Sequence, residues 1–491
     1  MKRIYKITQV ALFGAFIVGC TDLDTAPLSS TITADQKEDV VAADPSKIEA
    51  SVTAITANFT QYAKIYTEDD NVHSDIGYPT IMLATDSRTT DFVADITGYN
   101  WYSNSADYSD CLSTSTATIE FWGTLYNQIY TANAVIGTVD NETSDPTLQF
   151  YLAQALAIRA FDYFTLVQLY QFNYKGHEDA PGVPIITSEN AEEVAANGCA
   201  RSTVKETYEF ILGDLNKAID LLSNTKKTRS DKRYVSLDVA YGIRARVHLT
   251  MHNYADALKD AEAALASTSS VPYSSAAVSK PTFIDIEDAS WMWGILITDK
   301  DRVSTTGICN FPSHMGSLNY GYASVGGWRR ISPKLYNQIP ESDVRKGWFL
   351  DDTGVSVNLP AAAQAYITKK GAPVYTQVKY GPMNDEWGSN NNATDVILMR
   401  VEEMYLIKAE AQAMNNDVSG GVNTLNSFVN TYRDPSYKCT ATTSEAVQEA
   451  VWHQRRIEFW GEGIAFPTAK RLKPGVIQNY EGTNYIEDIF K

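Results

Sequence analysis

Between Leu237 and Ala266, small residues recur at a spacing that strongly restricts how the chain can fold. Ala245 lies before His252-Asn253, and Tyr254, Ala257, Ala261 and Ala264 lie after it, three or four residues apart. Residues so spaced share one face of a helix. Small side chains on that face let a second, antiparallel helix approach closely. The segment therefore predicts two helices joined at His252-Asn253. A pair of this kind cannot bury its apolar face alone, so neighbouring pairs have to stack on it. The chain is thereby committed to a layered helical array.

Other segments supply the neighbours. Ile48, Val52, Ile55 and Phe59 mark an amphipathic helix over 45–65. Leu125, Ile129, Ala132 and Ile136 mark one running from Phe121-Trp122 to Val139. Thr147–Tyr170 is apolar nearly all round, with a narrow polar stripe at Arg159, Asp162 and Thr165, which predicts a buried helix. Val204–Leu222 carries Tyr208, Ile211, Leu212, Leu215, Ile219 and Leu222 on one face. A second pair fits 396–430, with Ala409, Ala411 and Ala413 before a break at Gly420-Gly421 and Val422, Leu425 and Val429 after it. Roughly four imperfect pairs result, and their spacing resembles tetratricopeptide repeats.

Helical periodicity fails over 85–115, 171–200 and 270–395. Long loops such as the first of these often carry function. Trp291–Ile295 predicts a short strand, and at least one of Trp291 and Trp293 should be core; the alternation over Val374–Tyr380 predicts another strand. The expected fold is mostly α: a tetratricopeptide-like helical-repeat half packed against a loop-rich half with a few short strands.

The N-terminus bears on location. Lys2, Arg3 and Lys6 precede a short apolar run ending Ile17-Val18-Gly19-Cys20. The run is too short to span a bilayer, and a small residue directly before Cys20 resembles a lipoprotein processing site. The reading is a signal peptide over 1–19, lipidation of Cys20, and a polar tether over 20–45. Thr21 after the cysteine, with Asp22 and Asp24 beyond, resembles the start of surface-exported lipoproteins, and that resemblance implies the outer membrane and its exterior face. Removing 1–19 takes away three positive charges and carries the formal charge from −18 to −21. That balance argues against nucleic-acid binding and against a polybasic membrane contact, leaving the lipid as the only membrane attachment. Cys111, Cys199, Cys309 and Cys439 lie far apart without zinc-ligand spacing; three disulfide pairings and free thiols all stay open.

Four segments resemble the SusD/RagB family of nutrient-binding lipoproteins. They are Phe121-Trp122-Gly123-Thr124-Leu125-Tyr126-Asn127-Gln128-Ile129 with Ala132-Asn133; Ala157-Ile158-Arg159-Ala160-Phe161-Asp162-Tyr163-Phe164 with Pro181-Gly182-Val183-Pro184; Met399-Arg400-Val401-Glu402-Glu403-Met404-Tyr405-Leu406 with Ala409-Glu410-Ala411; and Gln454-Arg455-Arg456-Ile457-Glu458 with Glu462-Gly463 and Lys470-Arg471-Leu472. Ala465-Phe466-Pro467-Thr468 departs from the family pattern of Arg and Asp-Leu. The resemblance implies a single unit over 46–491, with an N-terminal part to about 270 and a C-terminal part from about 271. It also implies a SusC-like TonB-dependent outer-membrane transporter as partner, over which the lipoprotein closes as a lid.

No nucleophile elbow, zinc-protease helix, P-loop or dinucleotide fingerprint occurs. Adjacent acids such as Asp69-Asp70 and Glu402-Glu403 point apart, whereas a glycosidase needs two carboxyls facing across a bond. Glu402, Glu410, Arg455, Arg456 and Glu458 suit structural ion pairs. The protein is therefore expected to be a binder and not an enzyme. No cofactor is expected, and the sequence leaves a structural calcium open. A sugar offers an apolar C–H face to an aromatic ring and hydroxyls to Asn, Asp or Arg. The expected ligand site combines Arg88, Asp91, Tyr99, Trp101, Tyr102 and Asn104 from one loop with Tyr320, Tyr322 and Trp328 from another. Asp86 and Arg329 lie in the same stretches. The function expected is capture of oligo- or polysaccharide at the cell surface and its delivery to the transporter. Peptide or other nutrient uptake is the alternative, and a surface glycoside hydrolase or a protein-binding scaffold are further ones.

Overall fold

The helix Pro146–Tyr170 lies at the centre of the helical half, and its sequence explains why. Asp145 caps it, accepting from the amides of Thr147 and Leu148 at 2.8 and 3.0 Å, and Pro146 occupies the first turn, where its missing N–H costs nothing. All residues from Phe150 to Val167 are buried. The polar stripe is satisfied from within: Arg159 donates twice to Asp214 at 2.7 Å and once to Asn133 at 2.7 Å. Asp162 meets no donor, and burial pushes its carboxyl well above the usual range.

The structure, a computed structural model, describes residues 34–62, 72–95, 97–305 and 307–472. Cys20, the leader and Asp69-Asp70 lie outside the described residues. The chain divides into two compact units, 1–47 and 48–491. In the first, Ala34–Ala43 is α-helical; this stretch has no Gly or Pro and is rich in helix formers.

In the second unit, eight helices each pack against their successor: Thr116–Ile136, Pro146–Tyr170, Val204–Asn224, Leu237–Thr250, Tyr254–Ser267, Val401–Met414, Val418–Tyr432 and Ser444–Glu458. This is the tetratricopeptide-like array that the small-residue spacing predicts. Ala245, Ala257, Ala261 and Ala264 are fully buried, and the turn passes through His252 at φ 63°. Two boundaries differ from expectation. Val396–Arg400 is a strand, and the helix starts at Val401. The break between the next two helices falls at Asn415–Asp417, not at Gly420-Gly421. Gly421 serves close packing instead: a Cβ there would stand 2.7 Å from the Ala409 carbonyl oxygen and 2.9 Å from the Ala413 methyl.

The loop-rich half is tied together by two short antiparallel ladders. Strand β1 (Phe92–Val93) pairs with β3 (Arg330–Ile331), and β2 (Trp291–Ile295) pairs with β4 (Val396–Arg400). Both Trp291 and Trp293 are wholly buried. Val374–Tyr380 makes only isolated bridges through Thr376, Gln377 and Tyr380, so the second expected strand does not form as a regular one. Its alternation is spent on contacts in several directions: Gln377 donates to the Met315 carbonyl, and Lys379 donates to the Glu458 and Trp460 carbonyls.

The seam between the halves is a buried charge network. Arg433 donates to Glu458 at 2.8 Å through both Nε and Nη2; Arg400 reaches Glu402, Glu458 and Glu462; and Arg345 reaches Asp343 and Glu458. Glu402 and Glu403 do point apart, the first to Arg400 and Arg433, the second to Arg246 and Arg455. Cys111, Cys199, Cys309 and Cys439 are free thiols. Among the described residues no helix is long and apolar enough to cross a membrane.

Candidate aromatic binding site

The β1–β3 ladder joins the two loops that carry the expected ligand residues. Phe92 faces Ile331 and Val93 faces Arg330. Tyr99 and Trp101 therefore leave one strand beside the place where Tyr322 and Trp328 enter the other. Three contacts hold the loops together: Ser332 donates to the Asp91 carbonyl at 2.9 Å, Arg330 pairs with Asp95, and Thr97 donates to the Gly326 carbonyl at 3.3 Å. Gly326 and Gly327 permit this closeness. At Gly326, with φ +151°, a Cβ would stand 2.6 Å from the Tyr99 ring; at Gly327 it would stand 2.7 Å from the Tyr99 carbonyl oxygen.

The outcome is a platform of rings. Tyr99 is 49 % exposed and Trp101 37 % exposed, while Tyr322 is half-buried between them. Ring centroids of Tyr99 and Tyr322 are 6.4 Å apart, and those of Trp101 and Tyr322 are 6.0 Å apart. His73 stacks on Trp101 at 5.1 Å and shares a hydrogen bond with the Tyr322 hydroxyl. Beneath, His314 stacks on Tyr322 at 4.9 Å and donates from Nε2 to the His73 carbonyl at 2.9 Å. Burial pushes the His314 imidazole down to about 3, so it is neutral here. Arg329 is wholly buried beside the Tyr102 ring, donating to Asn100 at 2.7 Å and to the His314 carbonyl at 2.8 Å; burial lowers it to about 10.

Trp101 also edges a cleft of about 440 Å³ with polar walls that include Ser74, Asn104, Ser109, Thr114 and Glu120. Asn104 is exposed at this edge. Glu120 is buried with Oε1 unpartnered; desolvation, then the charge of Asp75, pushes its carboxyl up to about 8. The arrangement offers flat apolar faces beside hydrogen-bonding groups, which suits a ligand with C–H faces and hydroxyl edges.

The other expected residues are placed differently. Arg88 is buried and pairs with Asp110 at 2.8 Å. Asp91 is buried, accepting from Arg456 Nε at 2.7 Å. Trp328 is 6 % exposed in a core cluster with Leu318, Leu350, Ala363, Ile367 and Val378. Tyr102 is 3 % exposed, its hydroxyl donating to the Ser74 carbonyl and its ring set edge-on against His314. Arg88, Asp91 and Trp328 support the loops, while Tyr102, although buried, lines the cleft beside Trp101; a charge in a loop held against a core is paired internally to offset its desolvation. Tyr320 is 46 % exposed on the loop of Tyr322, and its backbone amide donates to Ser389. His73, His314 and Asn100 were not singled out from the sequence, since isolated polar residues in aperiodic stretches carry no pattern. The Gly326-Gly327 pair was the available signal.

A family model described as starch-binding and associating with the outer membrane matches residues 35–249, and one described as the SusD family matches 339–473. A SusD-like protein of Bacteroides ovatus is 29% identical over 133 residues, 26% of this chain and 21% of its own length, so that match spans about a fifth of the relative. A crystal structure of a SusD-like carbohydrate binding protein from Bacteroides vulgatus superposes with TM-score 0.72 at 24% identity, covering 88% of this chain and 84% of the other. A SusD superfamily protein from Bacteroides thetaiotaomicron superposes with TM-score 0.69 at 21% identity, covering 88% and 89%. At these identities the structural likeness establishes the fold.

Proposed function

The chain belongs to the SusD/RagB family, and from that premise we propose that it is a non-enzymatic, cell-surface glycan-binding lipoprotein. It captures oligo- or polysaccharide on the Tyr99, Trp101 and Tyr322 rings and passes it to a SusC-like TonB-dependent transporter. Lipidation at Cys20 attaches it to the outer membrane. The observation that carries the reading is the convergence of Tyr322 with Tyr99 and Trp101, more than 200 residues earlier in the sequence, on one partly exposed platform. Tyr320 and Asn104 extend it as further ligand contacts. Large rings left in water cost free energy unless a partner covers them.

The test is calorimetric titration of the purified mature protein against a panel of oligosaccharides and peptides, with Trp101→Ala beside wild type. Saturable binding of a glycan that weakens in the variant is the expected result. Binding of peptides alone would move the assignment to peptide uptake. Sustained release of reducing ends, abolished by Glu120→Gln, would overturn the non-enzymatic assignment.

A further inference from the structure

A second cavity, of about 80 Å³, lies between the Tyr78–Ser87 helix, the helical array and the segment Gly463–Arg471. A water needs roughly 10–15 Å³ of such space, so the cavity has room for a small organic ion. Its walls are largely apolar, with Ile81, Met82, Phe161, Phe164, Leu249 and Phe466 prominent. It shares no residue with the aromatic platform or with the cleft beside Trp101.

Its charges do not balance. Arg246 donates to both oxygens of Glu403 at 3.1 Å through Nε, and Arg455 donates to the same carboxylate at 3.1 Å through Nη2. Arg471 is taken by Glu410, at 2.6 and 2.9 Å. Three guanidinium groups thus face two carboxylates. Asp86 and Asp162 are further buried carboxyls of the surrounding helices. Asp86 accepts from the Gly463 amide at 3.0 Å and Asp162 meets no donor, so neither is hydrogen-bonded to these arginines, and burial pushes both carboxyls up. The surplus falls on Arg455. It is 6 % exposed and lines the cavity, and its Nε and Nη1 have no acceptor. A buried guanidinium with two of its nitrogens unmatched by an acceptor is costly, and a bound anion offsets that cost.

We propose that this cavity binds a small aliphatic carboxylate, its oxygens on Arg455 and its hydrocarbon chain against the Phe161, Phe164 and Phe466 walls. The apolar lining selects an organic acid over an inorganic anion, which would leave those walls without a partner.

The probe is butyrate, titrated into the full mature chain in chloride-free buffer and followed by calorimetry and by saturation transfer to the butyrate methyl. Chloride and sulfate are titrated in parallel. Wild type should bind butyrate saturably, and Arg455→Met should weaken it about tenfold or more, the usual scale for losing a charge-assisted hydrogen bond. Thr468, 8 % exposed, lines the same cavity. Thr468→Asp puts a carboxylate on the cavity wall that competes with butyrate for the same space and charge, and should weaken its binding equally, which decides the matter if Arg455→Met does not fold. No saturable binding by wild type, or binding unchanged in Thr468→Asp, would overturn the proposal. Sulfate or chloride binding as tightly as butyrate would overturn the assignment to an aliphatic carboxylate.

Discussion

His73 and Trp101 stack with ring centroids 5.1 Å apart and an interplanar angle of 28°. The contact covers one face of the indole and fixes its tilt, while 37 % of Trp101 stays exposed. A ring held in place loses less freedom on binding, so more of the stacking energy appears as affinity.

Trp101→Ala should therefore weaken glycan binding by about fivefold, since stacking on one ring contributes on the order of 1 kcal/mol beyond area burial. The melting temperature should change little. Calorimetric titration beside a thermal melt checks both; unchanged affinity with a much lower melting temperature would show that the ring is structural.

Trp328→Ala should behave in the opposite way. Its indole packs on Leu318, Leu350, Ala363, Ile367 and Val378. Emptying that volume should cost about 3–5 kcal/mol. Urea unfolding measures the loss, and an undiminished midpoint would refute the packing role.

Glu120 should make stability fall as pH rises. Its carboxyl titrates at about 8 in the folded chain, against an ordinary 4.5. Below about 4.5 both folded and unfolded chains hold the proton. Between there and about 8 only the folded chain holds it, so stability is lost across that window. Glu120→Gln should gain on the order of 1–3 kcal/mol at pH 8 and nothing at pH 4. Denaturant melts of both proteins at the two pH values decide it; an equal gain at both would show that ionisation is not the cause.

Cys20→Ala should leave the chain unprocessed or unanchored, because stable attachment of a lipoprotein depends on its acyl chains. Membrane fractionation reads the outcome, and a variant still firmly bound to the outer membrane would count against lipidation at this residue.

Periodicity in the sequence was enough to locate the long helices. Pro146–Tyr170 and Val204–Asn224 fall within two residues of their expected limits, because a helix shows its buried face every three or four residues whatever it packs against. The alanines of Leu237–Ser267 likewise forecast the stacked array, since only small residues allow that approach. Trp291–Ile295 was legible as an apolar strand, but Val396–Arg400 was not, because its run of apolar residues leads into a helix with no turn signal.

Which rings face solvent was a different kind of question. Trp101 and Trp328 sit in similar Gly- and Tyr-containing loops, and the sequence around each offers no reason to separate them. The two-residue β1–β3 ladder separates them, setting Trp101 on Tyr322 and His73 while Trp328 turns into the core. Arg88 and Asp91 looked equally suited to a ligand until their partners, Asp110 and Arg456, came from elsewhere in the chain. Secondary structure follows local spacing and was written in the sequence. Exposure and charge pairing depend on contacts between residues far apart in the chain, and only the tertiary structure decided them.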